Sequence, residues 1–441
     1  MGTKTNQKAW NVNKILYAVA IFMGIFMPCL IRLRMQYVMF GIELIYIIWK
    51  MISTPRIIIH NTPIKMLVTF IPFYLYYTFL VVSNAMTGGT SAPLYWIEYK
   101  QSLTIAAYII VLAAAIMLYR QGHENTSSNF FQMITFVTAM QLVLVGLSFV
   151  LPGVKSFFNS LTIRNSYNEA IVIAMSKTWL LRWRAYGLAE NLFDGFGFTT
   201  SILISIVFVY GLSTKKKGII SLAGVMLIMP LLNARSGLVL CLVSFMYIMF
   251  RYLNVKRVIT FSLLIVVFVV CFILLFKYLP RELQNVLSGT IAEFTGLTQG
   301  EKKGVFIQIF GEDIVFPENV LLGAGISPER ITGLAGIDSG YIQCLWRYGI
   351  IGTVLLWGGY ISSAVIAYRR TTLKSNKVIL VDIILIMVIY CFKLFLFNSY
   401  ANNFLLFFIL FYIGLEKEYT GNKLQQAYWH RILKKQTKIT K

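Results

Sequence analysis

Arg235 stands where an arginine is costly. It sits in Asn233-Ala234-Arg235-Ser236-Gly237, between two apolar runs, Gly218 to Leu232 and Leu238 to Phe250, which are bounded by Lys215-Lys216-Lys217 and Arg251. At about 1.5 Å per residue these runs reach roughly 20–23 Å, against about 30 Å of hydrocarbon. With both basic ends at one membrane face, the tip of this hairpin stays below the other. An arginine at the centre of a spanning helix costs about 2.5–3.5 kcal/mol on insertion scales. Two arrangements offset that cost. Arg235 can snorkel and satisfy the last carbonyls of the first helix, or its planar fork can hold an anion such as a lipid-linked pyrophosphate.

A second group lies in Arg182-Trp183-Arg184-Ala185-Tyr186-Gly187-Leu188-Ala189-Glu190. If the segment is helical, Arg184, Gly187 and Glu190 share a face. A glycine there admits a bulky anion, and the carboxylate one turn away orients the guanidinium. The alternative is a helix lying on the membrane surface, with Trp179 and Trp183 as interfacial anchors. A third group, Asp338, Tyr341 and Gln343, comes just before an apolar run. Asp338 or Ser339 can cap that helix, or Asp338 can take a proton from a sugar hydroxyl. Arg330, earlier in the same loop, is a further cation for a phosphate.

The three histidines are His60, His123 and His430. All fall on segments expected to be inside, so an outward-facing site would use neither a histidine base nor a histidine-bound metal. No D-x-D-type acidic cluster occurs. An enzyme built on these residues would be metal-independent and need no cofactor, with arginines stabilising the leaving group.

The elements that must position these residues are membrane helices. The 441-residue chain is 58% hydrophobic and 13% charged, with a mean hydropathy of +0.71, which excludes the soluble classes. The net charge of +23 does not indicate nucleic acid, because the basic residues sit in short clusters between apolar runs. That is the positive-inside pattern, which also attracts anionic lipid. Twelve apolar runs can be drawn, at about 15–31, 35–52, 66–83, 103–119, 130–151, 197–213, 218–232, 237–250, 258–279, 349–368, 378–397 and 403–415. Placing Lys4, Lys8 and Lys14 inside puts Lys215 to Lys217, Arg251, Arg369 and Arg370 inside as well, while Arg32 and Arg34 fall awkwardly outside. The expected fold is a single all-α polytopic membrane domain over residues 1–441, with about twelve spans and both termini in. It carries long outside loops with short helices at 152–196 and 280–348, and a basic cytoplasmic tail at 416–441. Loops of that length usually carry function. The five cysteines fit neither a metal site nor a disulfide pattern. Glu43, Asp382 and Lys393 fall in or at the ends of spanning runs. Glu43 and Lys393 can form a structural pair or couple an ion or substrate, and Asp382 is near enough to the inner end to reach the surface.

In these motifs and their order along the chain, the sequence resembles the O-antigen and capsule polymerase (Wzy-type) family, within the wider group that includes O-antigen ligases. Arg184-Ala-Tyr-Gly187 with Glu190 resembles the family's R-x-x-G element. Asn233-Ala-Arg-Ser-Gly237 resembles its S-R-x-G-like hairpin, with Asn233 and Ala234 in place of the usual Ser or Gly. Leu321-Leu-Gly-Ala-Gly325, Asp338-Ser-Gly-Tyr341 and Gly349-Ile-Ile-Gly352 resemble the end of its second loop and the start of the next helix. Ligases of the group carry a histidine near the position of Asp338. Its absence here favours the polymerase.

The resemblance implies a GT-C-like glycosyltransferase bundle in the bacterial cytoplasmic (inner) membrane, with its active site facing the periplasm. It implies an undecaprenyl-pyrophosphate-linked chain as donor and a lipid-linked repeat unit as acceptor, joined with inversion. Arg184, Arg235 and Asp338 are then the catalytic residues, and Arg182, Trp183, Tyr186, Gly187, Glu190, Arg330 and Tyr341 bind substrate. Membrane lipid, a chain-length regulator and a flippase are the implied partners, and nucleic acid is not. The rival readings are a lipid-linked oligosaccharide flippase and an O-antigen ligase.

Overall fold

The computed structural model describes residues 12–26, 28, 35–53, 58–87, 92–121, 127–162, 184–189, 192–233, 235–253, 284, 315–328, 339–397 and 399–416. Every regular element among them is helical. Contacts divide the chain into two compact units. The first comprises Met1–Ile42 with Ser128–Cys241, the second Glu43–Ser127 with Leu242–Lys441. Of the expected apolar runs, 258–279 lies outside the described residues.

Among the described residues, six segments are long and apolar enough to cross a membrane: Met35–Ser53, Asn61–Thr87, Ala92–Arg120, Asn129–Val150, Asp194–Thr214 and Gly340–Arg370. The protein is therefore an all-α, multi-pass membrane protein. In the first unit, α1 (Val12–Phe26), α6 (Ser127–Val150) and α7 (Pro152–Thr162) accompany α8 (Phe193–Thr214), α9 (Lys217–Met226) and α10 (Ile228–Asn233). The start of α11 (Arg235–Tyr252) completes it. Apolar from end to end, α8 is the unit's centre, with 89% of its spanning window buried. Gly197 of α8 and Gly237 of α11 meet backbone to backbone, since a Cβ on Gly237 would lie 2.8 Å from the Gly197 carbonyl oxygen.

In the second unit, α2 (Met35–Ser53) contributes Glu43 and the residues after it; α3 (Asn61–Val68), α5 (Ala92–Gln121), α12 (Gly340–Arg370) and α13 (Lys374–Tyr390) surround α14 (Tyr400–Gly414), and α4 (Ile71–Thr87) packs on α5 and α12. The α14 helix is apolar on all sides and buried from Ala401 onward. Its Phe404 and Phe408 rings stack, and Phe407 packs on Phe70 and Tyr360.

The second loop was expected to end at Tyr348. Instead, helix α12 begins at Gly340 and is broken inside by Gly349, with φ 62° and ψ −172°. That conformation is open to glycine and strained for any residue with a Cβ. The segment 319–325 fills the break. The amides of Ile350 and Ile351 donate to the carbonyls of Val320 (3.0 Å) and Leu321 (3.2 Å), and the Ala324 amide donates to the Trp346 carbonyl (2.6 Å). The Tyr76 hydroxyl donates to the carbonyls of Leu322 (2.8 Å) and Tyr348 (3.1 Å). These bonds satisfy the backbone groups that a broken helix exposes, as hydrocarbon requires.

Candidate functional site

The first unit brings two of the sequence motifs together. Residues 184–189 are not the helix that the shared-face reading required: the backbone is irregular, and Gly187 sits at φ 58°. The Asn233 side chain, 1% exposed, grips this segment. Its Oδ1 accepts from the Ala185 amide at 2.7 Å and its Nδ2 donates to the Ala185 carbonyl at 2.7 Å. The same Nδ2 donates to the Met229 carbonyl (2.9 Å), one turn back. A primary amide reproduces a peptide's donor and acceptor pair, so Asn233 pairs with Ala185 as a neighbouring strand would.

A second amide holds the far side. Gln141 of α6, fully buried, donates through Nε2 to the Tyr186 carbonyl at 2.6 Å. The Cβ position of Gly187 is pressed against the same side chain, 3.1 Å from Gln141 Nε2 and 3.1 Å from Leu144 Cβ. The absent side chain therefore makes room for α6. The expectation that it makes room for an anion is corrected on that side of the glycine.

Tyr186 is buried, with its ring edge-on to Phe196 of α8 at 5.4 Å. Its hydroxyl lies 3.5 Å from the Asn233 carbonyl. Arg184, partly exposed, donates from Nη1 to that hydroxyl at 3.3 Å. The Arg184 segment thus abuts the last turn of α10, and Arg235 opens α11 two residues after the clamping asparagine. Ser236, next to Arg235, donates to the Asp194 carboxylate in the first turn of α8. That bond ties the start of α11 to the α8 N-terminus, where a carboxylate is favoured.

Tyr341 belongs to the second unit. Its hydroxyl donates to the Val388 carbonyl (2.8 Å), and its ring stacks on Trp357 at 6.2 Å. The first turn of α12 is docked on the irregular end of α13, with the Tyr341 amide on the Cys391 carbonyl (3.1 Å). Ser339 occupies the N-cap position without a side-chain cap bond. Arg182, Trp183, Glu190, Arg330 and Asp338 lie outside the described residues.

The second unit also holds an ion pair that the sequence motifs did not single out. Arg347 of α12 bonds Glu98 of α5, with both side chains buried and the guanidinium 4.5 Å from the Phe395 ring centroid. Glu98 lies buried among helices, 4% exposed. Asp382 does not reach a surface. It is 2% exposed and accepts from the Ser244 hydroxyl at 2.7 Å. Glu43 is buried beside Tyr108, and among the described residues it makes no ion pair with Lys393.

Asn233, Gln141 and Ser236 are the supporting residues that sequence reasoning passed over. A signal existed for two of them: a carboxamide inside an apolar run must find a partner, since an unmet polar group in hydrocarbon is costly. No cluster of three or more metal-ligating side chains occurs among the described residues. Comparison with protein-family models returns no match, and comparison with curated proteins returns none either.

Proposed function

We propose that the protein polymerises lipid-linked oligosaccharide repeat units into O-antigen or capsular polysaccharide at the outer face of the bacterial cytoplasmic membrane. One observation supports this reading above the rest. Asn233 clamps the Arg184 segment to the turn that launches Arg235, so two arginine-bearing elements far apart in sequence share one buried support. A pair of guanidinium groups suits a pyrophosphate, which offers several acceptor oxygens to planar forks.

The reaction needs no external energy. The acceptor hydroxyl of a lipid-linked repeat unit attacks the anomeric carbon of the growing chain. A new glycosidic C–O bond forms as the C–O bond to phosphate breaks. The electron pair leaves with undecaprenyl pyrophosphate, and the hydroxyl proton passes to Asp338. Arg184 and Arg235 stabilise the charge that develops on the departing pyrophosphate, which is the largest catalytic contribution expected of fixed cations. Arg182 and Arg330 add positive charge, Trp183 and Tyr341 contact sugar faces, the buried Tyr186 holds Arg184 through its hydroxyl rather than meeting a sugar, and Gly187 and Glu190 shape the Arg184 segment. This assigns the enzyme to metal-independent, inverting membrane glycosyltransferases.

The test is a gel of surface glycan from cells lacking the gene, complemented with wild type or with Arg235→Ala. The expected result is a ladder with wild type and a single repeat unit with Arg235→Ala, with the variant still present in the membrane. A full ladder from Arg235→Ala would overturn the site.

Two observations favour a second reading, a lipid-linked oligosaccharide flippase. A buried ion pair between spanning helices and a helix broken within a span both occur in transporters, and Glu98–Arg347 and Gly349 supply them. Cells lacking a flippase show no repeat at the surface at all, whereas cells lacking a polymerase show one.

A further inference from the structure

The second unit contains a cavity of about 420 Å³, walled by α3, α4, α5, α12 and the start of α14. It lies at mid-span: its α5 wall, Ser102 to Ile110, occupies the middle of Ala92–Gln121, and Leu356 lies near the middle of α12. Its rim is aliphatic and exposed, formed by Ile64, Val68, Ile71, Leu75 and Ile110. An opening at that depth faces hydrocarbon.

Most of the polar groups on the wall are bonded to the protein. The Tyr74 hydroxyl donates to the Ser102 carbonyl (3.4 Å), and the Thr78 hydroxyl lies 2.7 Å from that of Tyr99. Tyr360 bonds Asn403, whose Nδ2 donates to the Phe397 carbonyl (3.0 Å). The wall therefore offers few partners to a headgroup or to water. Engineered apolar cavities of about 150 Å³ stay dry and take up apolar molecules. A void nearly three times larger, open to hydrocarbon, forfeits dispersion contacts unless a chain enters it. With an aliphatic rim and few polar groups left to select a special ligand, the occupant is the commonest chain at that depth.

We infer that an acyl chain of a bilayer phospholipid occupies this cavity and braces the broken helix. Tyr348 and Leu356 both line it, and they belong to opposite halves of α12, before and after Gly349. A chain seated there touches both halves. The inference is independent of the glycosyltransferase reading.

The experiment uses full-length protein in vesicles of phosphatidylethanolamine and phosphatidylglycerol, with a trace of phosphatidylglycerol carrying a diazirine in mid-chain. Peptides spanning 70–78 and 102–110 should be labelled. Ala106→Trp, which fills the cavity from its α5 wall, should cut that labelling at least tenfold and leave labelling at the exposed Ile45 and Phe79 unchanged. Ser102→Leu, which spares the backbone bond to Tyr74, serves if the tryptophan variant does not fold. Removing lipid should speed hydrogen exchange at the amides of Ile350 and Ile351 at least tenfold in wild type, and much less in Ala106→Trp. Labelling that the filled variants leave unchanged would overturn the inference, as would exchange at those two amides that lipid does not affect. A photoreactive polyprenyl phosphate that displaces the phospholipid probe would also overturn it, assigning the cavity to an isoprenoid chain.

Discussion

Two stretches of irregular backbone lie among the helices of this protein, and they are secured by different means. In the first unit, 184–189 is held by the side-chain amides of Asn233 and Gln141. In the second, 319–325 is held largely by main-chain groups, and glycines let two backbones touch. A Cβ on Gly323 would lie 2.9 Å from the Tyr348 carbonyl carbon, and Gly323 and Gly349 both have positive φ. The charges differ as well. Arg347, beside the glycine-packed break, is buried against Glu98, while Arg184, in the amide-held segment, remains partly exposed and bonds a phenol. The comparison teaches a division of labour. Main-chain packing through glycines makes a seal that admits nothing, whereas side-chain clamping fixes a backbone while leaving its neighbouring side chains able to meet a ligand.

Breaking the sealed region should cost the most stability. Glu98→Gln leaves Arg347 buried without its carboxylate, and thermal unfolding in detergent should show a loss of about 3–5 kcal/mol. The pair Glu98→Leu with Arg347→Met should recover most of it, because matched apolar groups need no compensation. Gly349→Ala comes next. It combines a left-handed conformation with a clash against 321–323, and should cost about 3 kcal/mol by the same measurement.

The clamped region should respond differently. Asn233→Leu orphans the Ala185 amide and carbonyl, at about 2 kcal/mol, yet the glycan ladder should vanish while folded protein persists. Smallest of all in stability is Arg184→Ala, expected within about 0.5 kcal/mol of wild type and again without polymer. Should Arg184→Ala destabilise the protein as much as Glu98→Gln, the distinction between the two regions would fail.

The membrane class and most of the helices were legible in the sequence, because apolar run length is a local property. The short apolar helices on either side of Arg235, Lys217–Asn233 and Ser236–Tyr252, were legible for the same reason. Partners were not legible. Periodicity marks which residues avoid water but says nothing about which distant residue they meet, so nothing in the sequence joins Glu98 to Arg347, 249 positions away. The break in α12 was hidden for another reason. Gly349 stands at the start of an apolar run, so its glycine suggested the end of a loop, and the helical turns before it, Gly340 to Tyr348, carry enough polar residues to pass for loop. Within the candidate site, the proximity of the Arg184 and Arg235 segments followed only from the family resemblance. The residue that joins them, Asn233, appeared in the sequence only as a departure from the motif.

Helix α14 has 15 residues, or about 22 Å at 1.5 Å per residue. Left alone in a bilayer of about 30 Å it would be a poor spanning segment. It is wrapped instead by α3, α5, α12 and α13, so lipid thickness has little hold on it. During synthesis α14 emerges after all four of those neighbours, and domains tend to assemble in the order they are made. Membrane insertion of this segment is therefore a docking event: the helix enters a protein-lined slot that its own chain has already built, and a fault in any wall of that slot would surface as a failure of biogenesis when α14 inserts.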